Sequence, residues 1–347
     1  MKKVYKKMAP VQAKAPGKLI LSGEHAVVYG HPALVMAVNR YVTATAISQS
    51  DSQITFLFPD LSKQSLTGPA LIQLQQRIRR DYQGFLTNHL SIREVLQGPI
   101  ELLQFALSLF FETMNLAPTG IQITLHADLP IGCGMGSSAA AILSTLTAAA
   151  HCLERMVAPE LLFTLAHQAE KMQHGQSSGL DVRSSLHGGC LYFKEGQMLT
   201  RTPSSLPFYL INTGKPQTTT GESVAAASVY FKKTKIGEDF AEVTHAMDHA
   251  LQSNHQKDVM NAMRANHKLL NTIGVVPEKV QQMIAEIELA GGAAKISGAG
   301  AVAGDHAGMV LIIMEEENVL KKIARRYQQT LFPVQCEMRG VYTYDAV

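Results

Sequence analysis

The residues best suited to chemistry lie in a glycine-rich stretch at positions 128–141, which reads DLPIGCGMGSSAAA. Glycine lacks a Cβ, so glycines at every second position allow tight turns and a close approach of the backbone to a ligand; they are Gly132, Gly134 and Gly136. An Ala- and Leu-rich segment follows and predicts a helix that begins at the two serines after the last glycine. Unpaired N–H groups and the positive end of the helix dipole attract anions there, so the stretch predicts a phosphate-binding site.

Two familiar nucleotide-binding loops are excluded by the spacing of this stretch. It contains no G-x-x-x-x-G-K-[ST] pattern, and Ser137 stands where G-x-G-x-x-G would have its third glycine. A simple turn followed by a serine-capped helix would use the same residue types. The stretch by itself therefore leaves a structural role and phosphate binding both open.

Ionisable side chains that could act beside this loop occur before and after it. Lys18 directly precedes a predicted strand, and Glu24 and His25 fall in the polar, glycine-punctuated segment between that strand and the next. Glu170 lies near the end of a predicted helix, and Asp181 follows eleven residues later, after the turn HGQSSG. Two carboxylates from different elements can share a cleft, in which one holds a metal ion and the other accepts a proton. A surface glutamate and a helix-capping aspartate are the alternative interpretation.

Strands and helices are both predicted along the chain, and they must position these groups. Apolar runs or alternation predict strands at 19–21, 41–47, 121–125 and 208–212. Helical spacing predicts helices at 71–90, 92–115, 222–232, 239–255, 258–272 and 277–290, with a break at Gly98-Pro99. The segment AAKISGAGAVAGDHAGMVLII predicts strand, glycine turn and strand, which disfavours a dinucleotide-binding loop because such a loop leads into a helix.

Length and composition limit the class of protein. The 347 residues exceed the usual size of a single core and predict two domains. A net charge of +3 without a basic stripe gives no reason to expect nucleic acid. Four widely spaced cysteines indicate reduced thiols rather than a zinc site. No apolar run is long enough to span a bilayer, and MKKVYKKMAP lacks the apolar part of a secretory signal, so we expect a cytoplasmic protein without a membrane partner.

Three segments together resemble the motifs of the GHMP kinases, the superfamily of galactokinase, homoserine kinase, mevalonate kinase and phosphomevalonate kinase. They are APGKLILSGEHAVVYG, DLPIGCGMGSSAAA and SGAGAVAG, in the family's order and approximate spacing, and GEHAVVYG with HGQSSGLD is most similar to mevalonate kinase. The resemblance implies an α+β (α/β two-layer) fold of two domains, with ATP and acceptor in the interdomain cleft. We expect an N-terminal domain at 1–205, with the ATP-binding loop and catalytic residues, and a C-terminal domain at 206–347. A homodimer is also expected, because dimers are common among family members.

The resemblance implies a role for individual residues. Asp181 matches the family's catalytic aspartate and Lys18 the lysine beside it, while Ser138, or Ser137 in its place, and Glu170 match the Mg²⁺ ligands. The positions that match the ATP-binding loop are Gly132, Gly134, Met135, Gly136, Ser137, Ser138 and Ala139. The acceptor-binding positions are Lys18, Glu24, His25, Asp181 and Thr219, with Thr218 or Thr220 as alternatives to the last.

The activity that the resemblance implies is ATP-dependent phosphorylation of the 5-hydroxyl of mevalonate to 5-phosphomevalonate in isoprenoid biosynthesis, with Mg²⁺ as cofactor. The third motif departs from the family pattern, since Ala301, Val302 and Ala303 replace a run of glycines and Gly304-Asp305-His306 displaces the next strand. Two alternatives stay open: a related kinase acting on phosphomevalonate or another small alcohol, and a non-catalytic nucleotide-binding relative. A binding module does not need a base, so the presence of Lys18 and Asp181 disfavours the second alternative.

Overall fold

The computed structural model describes residues 9–58 and 61–345. The basic segment in which no secretory signal is predicted lies outside these ranges, apart from its last two residues. The described strands are β1 Val11–Ser22, β2 Ala33–Ser48, β3 Gln53–Phe58, β4 Leu61–Thr67, β5 Ile121–Ala127, β6 Cys190–Lys194, β7 Gln197–Arg201, β8 Phe208–Asn212, β9 Ala293–Ser297, β10 Met309–Ile313, β11 Thr330–Val334 and β12 Tyr342–Asp345. The described α-helices are α1 Gly68–Leu86, α2 Ile92–Val95, α3 Glu101–Thr113, α4 Ser137–Cys152, α5 Pro159–His174, α6 Leu180–His187, α7 Thr220–Lys233, α8 Ile236–Gln252, α9 Gln256–Thr272, α10 Glu278–Leu289 and α11 Glu317–Arg326, and a short 3-10 helix spans Ala26–Tyr29.

A first sheet is built around the long antiparallel pair of β1 and β2. Its strand order is β12-β1-β2-β5-β3-β4, and β6 and β7 extend it from β2. In β5 the alternating apolar residues Ile121, Ile123 and Leu125 are buried, as the period of two predicts. Helix α4 packs on β1 and β2 and is buried around most of its circumference, which its Ala- and Leu-rich composition allows.

A second sheet of four strands has the order β11-β8-β10-β9, and all its pairs are antiparallel. Strands β9 and β10 are buried at every position, and α9 and α10 pack against β9. This sheet uses residues 208–334, whereas β12 returns to pair with β1 in the first sheet. The division into domains at 205/206 stays a prediction. The last strand, β12, comes from the predicted C-terminal domain but pairs with β1 in the first sheet.

Buried hydrogen bonds join the two sheets where β1 lies beside β9. The backbone N–H of Ile20 donates to Ser297 Oγ at 2.9 Å. Two further side chains, Thr244 of α8 and Asn266 of α9, bond to the hydroxyl of Ser22 at 2.8 and 3.2 Å. Because buried polar groups need partners, these bonds fix β9, α8 and α9 against the end of β1.

The predicted elements agree with the structure best where the pattern is long. The helices predicted at 222–290 are α7 to α10, and the strand, turn and strand of the third motif are β9, its glycine turn and β10. Strands β1 and β2 extend well beyond the predicted apolar cores, because pairing stabilises their polar and small residues too. No helix among the described residues is long and apolar enough to cross a membrane.

Candidate active site

A cavity of about 730 Å³ opens where β1, α5, α6 and α7 approach one another. It contains most of the ionisable groups that the sequence singles out. Its lining includes Lys18, Glu24, His25, Glu170 and Asp181, and also Gly134 and Thr220. Residues from positions 18 to 299 thus meet in one cleft.

An ion pair between Lys18 and Asp181 lies in this cavity. Lys18 on β1 is buried, and its Nζ lies 3.2 Å from Asp181 Oδ1 and donates to the carbonyl of Gly134 at 3.2 Å. Asp181, in the first turn of α6, keeps a third of its side chain exposed. Gly136 permits this approach, because a Cβ there would lie 2.9 Å from Lys18 Cγ. The pair offers an accessible carboxylate oriented by a fixed cation.

The glycine loop adopts the backbone that its sequence predicts. Gly132, Gly134 and Gly136 have φ of 74°, 88° and 67°, the left-handed region that favours glycine. Gly136 is the N-cap of α4, and the first N–H groups of a helix have no partner within the helix. The side chains of Met135 and Ala139 are buried in the core, so these two residues can present only their backbone to a ligand.

Glu170 is a buried carboxylate on α5. Its Oε2 lies 3.5 Å from His174 Nε2, while its Oε1 has no hydrogen-bond partner within the described part of the chain. Burial raises the pKa of Glu170 and nearby Asp181 raises it further, whereas His174, the Ser138 hydroxyl and Lys18 act to lower it. A buried, unpartnered carboxylate oxygen beside a serine hydroxyl is suited to a hard cation, so Ser138 and Glu170 fit Mg²⁺.

Glu24 and His25 occupy a tight turn after β1. His25 has φ 60°, and its Nε2 lies 3.0 Å from the carbonyl of Ala299, while Nδ1 lacks a partner among the described residues. Burial lowers the pKa of His25 to about 4, so the ring is neutral at pH 7. Its Nε2 faces a carbonyl and must carry the proton, which leaves Nδ1 as an acceptor. Glu24 is buried and forms an ion pair with Lys295.

Thr219 lies apart from this group, at the N-cap of α7. Its hydroxyl accepts from the backbone N–H of Glu222 at 3.2 Å, and its own N–H donates to the Glu222 carboxylate at 2.7 Å. This capping box engages the Thr219 hydroxyl. Of the three candidate threonines, Thr220 lines the cavity, while Thr218 lies 3.1 Å from Ser223 Oγ. The acceptor-binding role of Thr219 stays a prediction.

Three side chains near the site are missed by sequence reasoning. Lys295 is the partner of Glu24, and His174 lines the cavity beside Glu170. The stem of Lys215 lies against the glycine loop, 3.3 Å from the position of a Cβ on Gly132. A lone charge in the apolar strand AAKIS is the signal that could reveal Lys295, since buried lysines are rare without a partner.

The altered third motif packs behind the glycine loop. A Cβ on Gly298 would lie 3.3 Å from Gly134 Cα, so the two loops touch through their backbones. Ala301 is buried and its N–H donates to the carbonyl of Val275 at 2.9 Å, whereas Val302 is exposed. The next strand begins only at Met309, and residues 301–303 are not part of the cavity lining, whereas Gly298 and Ala299 are.

Comparison with known proteins places this geometry in context. The family model described as GHMP kinases N terminal domain matches residues 101–189. The mevalonate kinase of Archaeoglobus fulgidus is 32% identical over 296 residues, which cover 83% of this chain and 88% of the relative. The crystal structure of the Methanococcus jannaschii mevalonate kinase has a TM-score of 0.77 at 23% identity and covers 96% of this chain and 99% of that chain. Streptococcus pneumoniae phosphomevalonate kinase, in complex with phosphomevalonate and AMPPNP, has a TM-score of 0.71 at 15% identity, with 95% and 100% covered.

Proposed function

This chain belongs to the mevalonate kinase family of the GHMP kinases, and from that premise we infer that it transfers the γ-phosphoryl group of ATP to the 5-hydroxyl of mevalonate. The product is 5-phosphomevalonate, an intermediate of isoprenoid biosynthesis. The observation that carries the proposal is the ion pair of Lys18 and Asp181, 3.2 Å apart in the cavity beside the glycine loop. A kinase of this class needs such a carboxylate next to the phosphates.

Asp181 acts as the general base in this proposal. Its carboxylate is accessible from the cavity and is held by Lys18 at 3.2 Å, so it can accept the proton of the attacking hydroxyl. Lys18 is buried and is also bound to the carbonyl of Gly134. Its fixed charge stabilises the Asp181 carboxylate and the charge on the transferring phosphoryl group.

The glycine loop and the start of α4 bind the ATP phosphates. Gly136 caps α4, and the unpaired N–H groups at this helix start, together with the positive end of the helix dipole, favour the β- and γ-phosphates. Ser138 and Glu170 would hold Mg²⁺, which neutralises phosphate charge and orients the leaving group. The unpartnered Oε1 of Glu170 supports this assignment.

The acceptor occupies the part of the cavity between Asp181 and the turn of Glu24 and His25. Both turn residues present a hydrogen-bond acceptor that lacks a partner among the described residues, Glu24 Oε2 and His25 Nδ1. Hydroxyl groups are the donors that mevalonate brings. A turn with two acceptors therefore supports a hydroxylated acceptor molecule.

The test is ADP release by purified protein with ATP and Mg²⁺, with mevalonate, phosphomevalonate, homoserine and galactose offered in parallel. We expect turnover on mevalonate, lost in Asp181→Asn. Turnover on another acceptor alone would keep the kinase chemistry and overturn the substrate. No ADP release with any of the four acceptors, despite ATP binding, would overturn the proposed activity.

A cytoplasmic location and a homodimer complete the proposal. All four cysteines are free thiols in the described ranges, which supports a reducing compartment. Light scattering after size-exclusion chromatography tests the dimer, and a mass near 37.7 kDa would contradict it.

A further inference from the structure

Lys295 is a fully buried lysine in the middle of β9. Its Nζ donates to the carbonyl of Ile20 at 3.1 Å and to Oε1 of Glu24. A buried ammonium group is costly without an anionic partner, and Glu24 provides one at 1% exposure. The backbone of Lys295 is therefore fixed by β9, and its ammonium group is fixed by the Ile20 carbonyl and the Glu24 carboxylate.

The ion pair uses only one of the two carboxylate oxygens of Glu24. Oε2 is buried and has no hydrogen-bond partner within residues 9–58 and 61–345, although Glu24 lines the cavity. An unsatisfied buried acceptor costs free energy, and a bound ligand with a hydroxyl donor removes that cost. The carboxylate thus presents a vacant acceptor whose orientation Lys295 determines.

The charged and titratable neighbours of the pair identify which group of the acceptor can bind there. Burial raises the pKa of Glu24, whereas Lys295 and, more weakly, Lys18 act to lower it. His267 is a buried ring whose pKa is lowered to about 4 by burial and by Lys295. His25, also neutral, is the next residue in the turn. A carboxylate acceptor repels the carboxylate of mevalonate, and the 5-hydroxyl is needed at Asp181. The 3-hydroxyl is the donor that remains.

We propose that Lys295 is a positioning residue for acceptor recognition, which holds Glu24 so that its Oε2 accepts a hydrogen bond from the 3-hydroxyl of mevalonate. The inference rests on the proposed function. It explains why a lysine occupies an otherwise apolar strand next to the third glycine motif. A methionine of similar length would fill the same space without orienting Glu24.

The first test compares Lys295→Met, Glu24→Gln and the double variant. Lys295→Met should raise the KM for mevalonate by about 10- to 100-fold, the range for a hydrogen bond to a charged group, with the KM for ATP little changed. In the Glu24→Gln background the same substitution should have little further effect on that KM, because Lys295 acts through the Glu24 carboxylate. Equal effects in both backgrounds, or equal losses for ATP and mevalonate, would overturn the proposal.

The double variant is the control for loss of folding, because it replaces the buried ion pair with two neutral side chains. Removing one partner of a buried ion pair is strongly destabilising, whereas replacing both is often tolerated. We expect the double variant to regain thermal stability relative to Lys295→Met while its KM for mevalonate stays high. A wild-type KM in a stable double variant would contradict the inference.

A mevalonate analogue without the 3-hydroxyl tests the contact itself. Wild-type protein should bind this 3-deoxy compound more weakly than mevalonate, and Lys295→Met should weaken its binding no further. If Lys295→Met weakens binding of the analogue and of mevalonate equally, the proposed contact is wrong. Calorimetric binding with a non-hydrolysable ATP analogue serves as readout here, so catalysis is not required.

Infrared spectroscopy separates failure of this inference from failure of the proposed function. The difference spectrum of wild type and Glu24→Gln isolates the Glu24 carboxyl. The same difference is taken between Lys295→Met and the double variant. Loss of the ammonium partner should shift the carboxyl bands of Glu24 in Lys295→Met, whichever substrate the enzyme uses. Unchanged Glu24 carboxyl bands in Lys295→Met would overturn the role of Lys295 even in an active mevalonate kinase. Absence of mevalonate turnover in the wild type would overturn the function instead.

Discussion

The reactive side chains of the site are positioned by contacts with residues that are distant in the sequence. Lys18 and Asp181 are 3.2 Å apart although one lies on β1 and the other on α6. Phosphoryl transfer depends on position and charge more than on covalent chemistry. Removal of the basic oxygen of the partly exposed Asp181 should therefore act mainly on the chemical step.

The substitution Asp181→Asn tests the base. It keeps the size of the side chain and removes the basic oxygen, so kcat should fall by about 10²–10⁴-fold while the KM for ATP changes little. Steady-state kinetics with mevalonate measures both quantities. The matched control is Asp51→Asn, at an exposed position in a turn. Near wild-type turnover in Asp181→Asn would remove this residue from the role of base.

Glu170→Gln tests the cation site. The amide cannot supply the negative charge that Mg²⁺ prefers, so half-maximal activity should require at least about tenfold more Mg²⁺, the lower end of losses caused even by outer partners of metal sites. Titration of activity with Mg²⁺ at fixed ATP measures this shift. The exposed Glu154→Gln is the control. An unchanged Mg²⁺ requirement would exclude Glu170 as a ligand.

Residues of the site differ in how far the sequence predicts them. The order and spacing of the motifs are enough to single out Asp181, Lys18 and Glu170, and these three line one cavity. Lys295 could not be assigned to Glu24, because the two are 271 positions apart and no local pattern links them. Thr219 is singled out by the sequence, yet it caps α7, because a hydroxyl that suits phosphate binding also suits a helix cap.

At the scale of elements, the glycine loop and the third motif act as one unit. The loop before α4 and the turn after β9 touch through the backbones of Gly134 and Gly298. A Cβ has no room at Gly134, and at Gly298 it would make a tight contact with Gly134. The geometry of the phosphate site should therefore depend on glycine at the contact, more than on the substituted residues 301–303.

Gly134→Ala should disturb this unit. A Cβ would overlap the carbonyl oxygen of Ser297 at 2.6 Å. Alanine would also be strained in the left-handed conformation at φ 88°, so both effects destabilise the variant. We expect loss of about 1–3 kcal/mol of unfolding free energy from overpacking, and a raised KM for ATP. Chemical denaturation and kinetics measure the two effects.

The matched control for this substitution is Gly196→Ala. Gly196 has φ 78° in the turn between β6 and β7, and a Cβ there would meet nothing within 4 Å. Alanine at this position pays the cost of a left-handed conformation but makes no steric overlap with a neighbouring atom. Equal stability losses in the two variants would show that the loop contact contributes nothing beyond backbone strain.

Elements with a strong periodic pattern could be predicted, and those formed by long-range pairing could not. The helices from α7 to α10 follow their apolar spacing closely. Strand β12 has no such signal, because it is stabilised by pairing with β1, at the other end of the described chain. Strand pairing depends on the partner, so the return of the chain to the first sheet is visible only in the structure.

At the scale of the whole molecule, the interface of the two sheets contains both Lys295, which supports the site, and a buried histidine that makes stability depend on pH. His267 of α9 lies over β9 near Lys295, and its Nε2 lies 3.1 Å from Asn271 Nδ2. Burial first, and Lys295 second, lower the pKa of His267 from 6.5 to about 4. Burial gives His25 a similar shift on the other side of the interface.

The sign of this shift predicts loss of stability in mild acid. Between pH 6.5 and about 4 the unfolded chain binds a proton at His267 that the folded chain does not, so the free energy of unfolding falls as pH falls, and below about pH 4 the effect ends. At 1.36 kcal/mol per pKa unit this one histidine accounts for roughly 3 kcal/mol. His267→Gln, which keeps an acceptor for Asn271, should reduce the loss of stability on acidification by about that amount, whereas the exposed His89→Gln should not. Urea unfolding of the three proteins from pH 7 to 4 measures the slopes, and a His267→Gln slope equal to wild type would show that His267 is not the acid-sensitive group of the interface.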